Sequence, residues 1–389
     1  MNKKGNAGMQ GAYYTGKYRN RFEELGYSAE EINERKNKIF ETIFHGPEDE
    51  RFYHEFGEDM AYMEDTGNHD ARTEGMSYGM MMCVQMDKKD EFDRLWRWSK
   101  KYMYMESGNE AGYFAWSVSP EGVKNAQGAA PDGEEFFITA LFMASKRWGD
   151  GEGILNYRAE AEKLLDACIN NEHRGLRSMW DPSNKLIRFV ANFDFSDPSY
   201  HLPHFYTFIA DQTSNEENRK FMLEAAKASR DFLSKACHPV TGLNPEYSKF
   251  DGTPIDKPWF DGNCHQLYYS DAYRTGANIA LDYSWFGADE RELKQAENQI
   301  RFFCETLGKQ NWDGIYDLDG TVMEGKALHP VAIIATNAQV SLNLESEDAE
   351  YCIRKFWDTP LRKGDRRYYD NCLYFFAFLA LSGSYRAEW

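Results

Sequence analysis

Apolar positions along this chain fall into two alternating kinds of segment. The first kind is amphipathic and heavily charged: Ser28–Phe44, Lys89–Met105, Tyr157–Asn170, Asn215–Ala236, Ala288–Leu307 and Ser346–Trp357. Each carries one apolar stripe at helical spacing, as in Ile32, Ile39 and Ile43 or in Leu223, Ala226, Phe232 and Leu233, and so predicts a helix covered on one side only. The second kind is apolar or small nearly all round: Tyr78–Met86, Phe136–Ala144, Tyr273–Leu281, Val331–Val340 and Leu373–Leu381. A helix of that composition has to be covered on every side. With a sixth apolar stretch that begins near Asp197, the two kinds alternate strictly and predict an all-α double ring, an (α/α)6 barrel of six inner and six outer helices.

Six times a polar or acidic cluster rich in Gly, Ser, Tyr or Pro runs straight into an apolar stretch, near Glu74, Asp132, Asp197, Ser270, His329 and Tyr369. Core helices normally keep charge away from their ends, so six such junctions predict inner helices whose ends share one cleft. The junctions are spaced unevenly, by roughly 40 to 73 residues, which excludes a short-period solenoid and leaves room for long loops. Tyr113–Ser119, Leu186–Phe195 and Leu243–Trp259 carry aromatic and β-branched residues with Asp-Gly turn signals, and predict small strands at one rim.

No linker or low-complexity run divides residues 1–389, so one domain is expected. The net charge of -18, with no basic stripe to offset it, argues against nucleic acid and anionic lipid as partners. No stretch reaches membrane-spanning length without charge, and no apolar region follows Met1–Gly8, so a cytoplasmic location is expected; the chain is also expected to be a monomer. The seven scattered cysteines mostly fall in apolar helical patterns and read as buried thiols. Aromatics reach 15%, more than a helical core needs, and the Tyr and Trp among them suit a cleft that binds sugar faces.

Three junctions carry candidate chemistry. Glu74, in Arg72-Thr73-Glu74-Gly75-Met76-Ser77-Tyr78-Gly79, lies beside apolar residues that would desolvate its carboxyl and help it hold a proton, as a general acid must. It could equally be a capping residue paired with Arg72. Gly75 and Gly79 would let another backbone or a ligand approach closely. Asp271, in Tyr268-Tyr269-Ser270-Asp271-Ala272-Tyr273-Arg274, has a guanidinium one turn on that would keep it ionised as a base; it or Ser270 could also simply cap a helix. In Pro131-Asp132-Gly133-Glu134-Glu135, Asp132 is the functional candidate, whereas Glu134 and Glu135 read as first-turn acids that complement the helix dipole. His201 and His204 read as structural, because their Pro-broken context lacks further metal ligands.

In this order the motifs resemble inverting glycoside hydrolase family 8 over essentially the whole chain. Arg-Thr-Glu-Gly-Met-Ser-Tyr-Gly at 72–79 looks like its general-acid segment, and Ala-Pro-Asp-Gly-Glu-Glu at 130–135, with Ala144 and Trp148, like its signature helix. Tyr-Ser-Asp-Ala-Tyr-Arg at 269–274 looks like the segment bearing the base. The resemblance implies Glu74 as proton donor, Asp271 as base, Asp132 as support for the distorted sugar and Tyr200 as a holder of the attacking water. Pro131, Glu134 and Phe137-Ile138 depart from the broad signature and weigh against a cellulase or chitosanase. The Ala327-Leu328-His329-Pro330 segment and the run Asp197–His204 are most similar to the subgroup that releases xylose from the reducing end of xylo-oligosaccharides. That likeness implies His329 at the reducing-end sugar, although His329-Pro330 could also merely start a helix.

Tyr113, Trp116, Trp180, Tyr273, Tyr368 and Tyr369 are the aromatic candidates for holding sugar, with Arg72 and Arg274 as polar contacts. Each aromatic could instead be a packing residue. Acid and base carboxylates suffice for glycoside hydrolysis, so no metal or cofactor is implied. The competing readings are an endo-β-1,4-xylanase or endo-β-glucanase/chitosanase of the same family, a double-ring cyclase or prenyl transferase, whose metal motifs are missing, and a catalytically dead sugar binder.

Overall fold

The computed structural model describes residues 11–258 and 265–389. Among them, the helices of a double ring alternate between outer and inner positions. The outer set is α1 (Ala29–His45), α3 (Lys89–Trp98), α5 (Tyr157–Asn170), α7 (Glu216–Ala236), α9 (Arg291–Arg301) and α11 (Glu347–Asp358). The inner set is α2 (Thr73–Met86), α4 (Pro131–Trp148), α6 (Pro203–Gln212), α8 (Tyr273–Phe286), α10 (Pro330–Val340) and α12 (Arg367–Leu381). Each inner helix packs on the next, and α12 returns to α2, so the inner ring closes. This is the (α/α)6 barrel that the alternation of segments predicts.

Burial follows the two sequence types, except that Leu223, expected on the apolar stripe of α7, is exposed and its neighbour Met222 is buried instead. Every residue of α12 is buried, as is every residue of α4 from Pro131 to Ser145. In α1 only Ile32, Ile39, Phe40, Ile43 and Phe44 are buried, the single stripe of an outer helix. Two outer helices are shorter than the sequence pattern suggests, because α3 and α9 each pass into one π-helical turn, at Ser99–Met103 and Phe302–Thr306.

The ring types also differ in how their helices begin. Four outer helices have a side-chain N-cap: Ser28 with Glu31 in a capping box, then Asn156, Asn215 and Ser346. Among the described residues no inner helix has one. Three inner helices open on proline instead, which removes one of the unpaired N–H groups. The inner N-termini are thus free of local caps where the six junctions converge.

Short strands decorate the rim: β1 (Tyr53–Phe56) with β2 (Met60–Met63), β3 (Ala71–Arg72) with β4 (Ser117–Val118), and β5 (Ile315–Tyr316) with β6 (Val322–Met323). Of the three predicted rim segments, only Tyr113–Ser119 contains a strand among the described residues. The segments starting at Leu186 and Leu243 make isolated bridges, such as Trp180 to Ile187 and Ser196 to Ser248, because no straight partner runs beside them. Trp259 lies outside the described residues, as does Cys264; the other six cysteines are free and buried.

Candidate active site

A cleft of about 600 Å³ opens at the N-terminal ends of the inner helices, with residues of all six junction regions at or just beneath its walls. The pairing of β3 with β4 carries the chain into α2 and sets Glu74 in its first turn. Asp132 occupies the first turn of α4, and Tyr200 ends the short turn that leads into α6. Asp271 precedes α8, His329 is the N-cap of α10, and Tyr368 and Tyr369 begin α12.

Arg274 ties these carboxylates together from beneath. It is 4% exposed, and the two hydrogens of its Nη1 are shared among Glu74 Oε2 at 2.9 Å, Asp132 Oδ2 at 3.1 Å and the Tyr78 hydroxyl at 2.8 Å. Its Nη2 lies 3.3 Å from Asp271 Oδ1. Burying a cation is costly unless acceptors surround it, and burying three acids together is costly unless a cation joins them. Each side of this network is therefore a condition for the other.

The electrostatics favour a protonated Glu74. Burial pushes its carboxyl up to about 7; Arg274 opposes that rise, and the charges of Asp132 and Asp271 add to it. Its Oε1 accepts from the Tyr368 hydroxyl at 2.8 Å. Asp132 is likewise raised by burial, with Arg274 pulling the other way, and its Oδ1 accepts the Gly133 N–H at 3.0 Å. Asp197, buried behind Tyr200, is raised well above the usual carboxylate range by burial and by Asp271. Around Asp271, the Tyr369 hydroxyl lies 3.2 Å from Oδ1 and 3.3 Å from the Ser270 carbonyl. Ser270 itself has φ of 44°, a left-handed conformation that a serine adopts only under constraint.

Nine of the thirteen residues singled out from sequence line the cleft: Glu74, Asp132, Tyr200, Asp271, Arg72, Trp116, His329, Tyr368 and Tyr369. Arg274 sits just below it. Tyr113, Trp180 and Tyr273 do not reach it; all three are fully buried in the core. The Tyr113 hydroxyl donates to the carbonyls of Ala167 and Arg177, Trp180 packs edge-on against Tyr206, and Tyr273 packs on Tyr268. Arg72 does not pair with Glu74: it bonds Asp70 at 3.0 Å, lies 3.2 Å from Asp65, and rests over the Trp116 ring.

Other local expectations also shift. Glu134 and Glu135 are fully buried rather than solvated at a helix end, and burial pushes both well up. Glu134 accepts the Phe114 N–H at 2.9 Å and Glu135 the Tyr206 hydroxyl, so these acids tie neighbouring elements to α4. The space above Gly75 is filled by the Tyr368 phenol and that above Gly79 by Met63 and Leu95, side chains rather than backbone or ligand. His201 spends both ring nitrogens on Ser196 and Ser229, each at 2.8 Å, as a structural histidine does.

Sequence reasoning missed several cleft residues: Asp65, Asn68, Phe189, Val190, Tyr247 and Arg366. Phe189 and Tyr247 lie in the aromatic rim segments, where a signal was present without a way to orient it. Asp65 and Asn68 belong to a turn whose side chains reach the cleft only because β3 leads directly into α2. Tyr78, the fourth acceptor around Arg274, was hidden in the apolar run of α2.

Comparison with known proteins shows the family. The family model described as glycosyl hydrolases family 8 matches residues 48–383. A reducing-end xylose-releasing exo-oligoxylanase of Paenibacillus barcinonensis is 51% identical over 97% of this chain and 98% of its own. One of the same description from Halalkalibacterium halodurans is 52% identical over 97% and 96%. A solved structure of the Paenibacillus protein complexed with xylose superposes with a TM-score of 0.94 at 50% identity, covering 97% of this chain and 99% of that one.

Proposed function

Because the chain belongs to glycosyl hydrolases family 8, we propose that it releases xylose from the reducing end of β-1,4-xylo-oligosaccharides with inversion at the anomeric carbon. Glu74 donates a proton to the glycosidic oxygen, and Asp271 takes a proton from the water that attacks the opposite face of the sugar. Asp132 supports the ring distorted at the cleavage point, and Tyr200 helps to hold the water. Trp116, Tyr368, Tyr369 and Arg72 hold the sugar chain.

The observation that carries this reading is the placement of Glu74 and Asp271 on the two different nitrogens of one buried guanidinium, at the floor of a cleft. An inverting pair stands roughly 6.5–9.5 Å apart, which leaves room for a water between acid and base. The raised Glu74 supplies a group still protonated near neutral pH, and proton transfer from such a group contributes on the order of 10²–10⁴-fold. Leu328 and His329 stand on the cleft wall, and we read them as the stop that admits one sugar on the leaving side. The 1–389 chain is read as one catalytic domain that works as a monomer on short oligosaccharides in the cytoplasm. Among the described residues, no helix is long and apolar enough to cross a membrane.

The test is hydrolysis of xylotriose labelled at its reducing end. Label released only as free xylose is expected. Labelled xylobiose would indicate cleavage from the other end or in an open cleft, and no hydrolysis would redirect the search to glucans and chitosan.

A further inference from the structure

The cleft wall at Leu328 and His329 is held by two residues from outside the cleft lining. His329 is the N-cap of α10, yet its side chain caps nothing. The cap comes from another inner helix: Asp370 on α12, fully buried, accepts the Ala332 N–H on Oδ1 at 2.7 Å. Its Oδ2 then takes two more partners, His329 Nδ1 at 2.9 Å and Arg362 Nη1 at 2.5 Å. The same Nη1 reaches the Leu328 carbonyl at 2.5 Å. One guanidinium therefore grips both the carboxylate that orients the histidine and the backbone of the residue beside it.

This arrangement selects a tautomer. A carboxylate only accepts, so the bond from His329 requires a hydrogen on Nδ1, and in the neutral ring Nε2 is left as an acceptor. The ring is further held against Tyr369, with centroids 4.6 Å apart, so that its remaining edge is the one offered to the cleft His329 lines. A partner that fixes one imidazole nitrogen and so defines the other is a recurrent device.

We propose that Arg362 and Asp370 are positioning residues for recognition of the reducing end: they lock the Leu328-His329 segment and present His329 Nε2 as an acceptor for a hydroxyl donated by the terminal sugar. The inference rests on the proposed exo reading and adds which residues make it selective. An anomeric hydroxyl can donate to Nε2; an anomeric oxygen capped by a methyl group cannot. Arg362 is a suitable residue to change, because the Asn371 side chain holds its backbone independently, accepting its N–H at 2.8 Å and donating to its carbonyl at 3.0 Å.

The experiment compares kcat and KM on xylotriose and on its methyl β-glycoside for the full-length protein and for Arg362→Ala, Arg362→Lys and Asp370→Asn. The unmodified protein is expected to prefer the free reducing end. Arg362→Ala is expected to reduce that preference about tenfold, mainly through KM for the free substrate, the size of effect that one lost hydrogen bond to a charged group carries. Arg362→Lys, which keeps the charge but not the fork, should fall between the two. Asp370→Asn should move the preference the same way; since it also alters a helix cap, the Arg362 variants are the decisive ones. A folded Arg362→Ala protein with unchanged preference overturns the inference while leaving the exo reading intact. No preference in the unmodified protein overturns the exo reading, and this inference with it.

Discussion

Arg274 and Glu74 are 2.9 Å apart, cation to carboxylate, yet the Glu74 carboxyl is pushed up to about 7 rather than down. An isolated pair at that distance would hold the acid ionised. Here one guanidinium serves Glu74, Asp132 and Asp271 together, so its charge is shared, and burial decides the balance at Glu74.

That balance has a sign in stability. An acid whose folded value is raised from 4.5 to about 7 binds more protons folded than unfolded between those values, so its contribution falls as pH rises through that window and stays low above it. Replacing Glu74 by Gln should therefore raise Tm relative to the unmodified protein at pH 8 more than at pH 5, as thermal melts at the two values will show. The same variant should lose about 10²–10⁴-fold in kcat on unactivated xylo-oligosaccharide. Activity of the unmodified protein should decline as pH rises through about 7, where the acid form disappears.

Removing the shared cation should be worse than removing any single acid. Arg274→Met leaves three buried or half-buried carboxylates without their common partner, and breaking such a network by one side costs about 3–5 kcal/mol. We expect a lower denaturation midpoint at pH 7 that partly recovers at pH 5, where Glu74 and Asp132, both raised by burial, can protonate. Urea titration at both values is the check.

The aromatic residues divide into wall and core. Trp116 is 38% exposed in the cleft with the Arg72 guanidinium over its ring, so Trp116→Ala should raise KM about fivefold to fiftyfold while leaving Tm nearly unchanged. Tyr113→Phe should do the reverse. It strips a buried donor from two carbonyls, at about 1–2 kcal/mol, with kcat/KM altered less than about twofold. Parallel kinetics and melts distinguish the two behaviours.

Close packing at α2 and α4 fixes the spacing of two site acids. A Cβ on Gly133 would lie 2.4 Å from Thr73 Cβ and 2.6 Å from its Oγ1, next to Asp132 on one helix and Glu74 on the other. Gly133→Ala should cost about 1–3 kcal/mol by overpacking and lower kcat more than it changes KM. Steady-state kinetics on xylotriose, with Tm measured alongside, tests this.

The order of outer and inner helices was legible in the chain because burial leaves a periodic trace: a single stripe for a helix covered on one side, apolar residues all round for one covered on every side. The acids of the six junctions were legible for a related reason, since charge beside a buried helix is expensive and has to be accounted for. What each junction residue faces was not legible. Helical geometry turns Asp132 and Glu134 to different sides of α4, but only the neighbouring segments decide that Asp132 reaches Arg274 at the cleft while Glu134 meets the Phe114 N–H. Likewise Tyr113 and Trp116 are three apart in one rim segment, yet one is core and the other wall. The sequence by itself determined the ring of helices and the supply of acids at its ends, because local periodicity and desolvation act along the chain. The tertiary structure alone decided the partners, because Arg274, Glu74, Asp132 and Asp271, and equally Arg362, Asp370 and His329, come from separate segments and acquire their roles only when packing brings them within hydrogen-bonding distance.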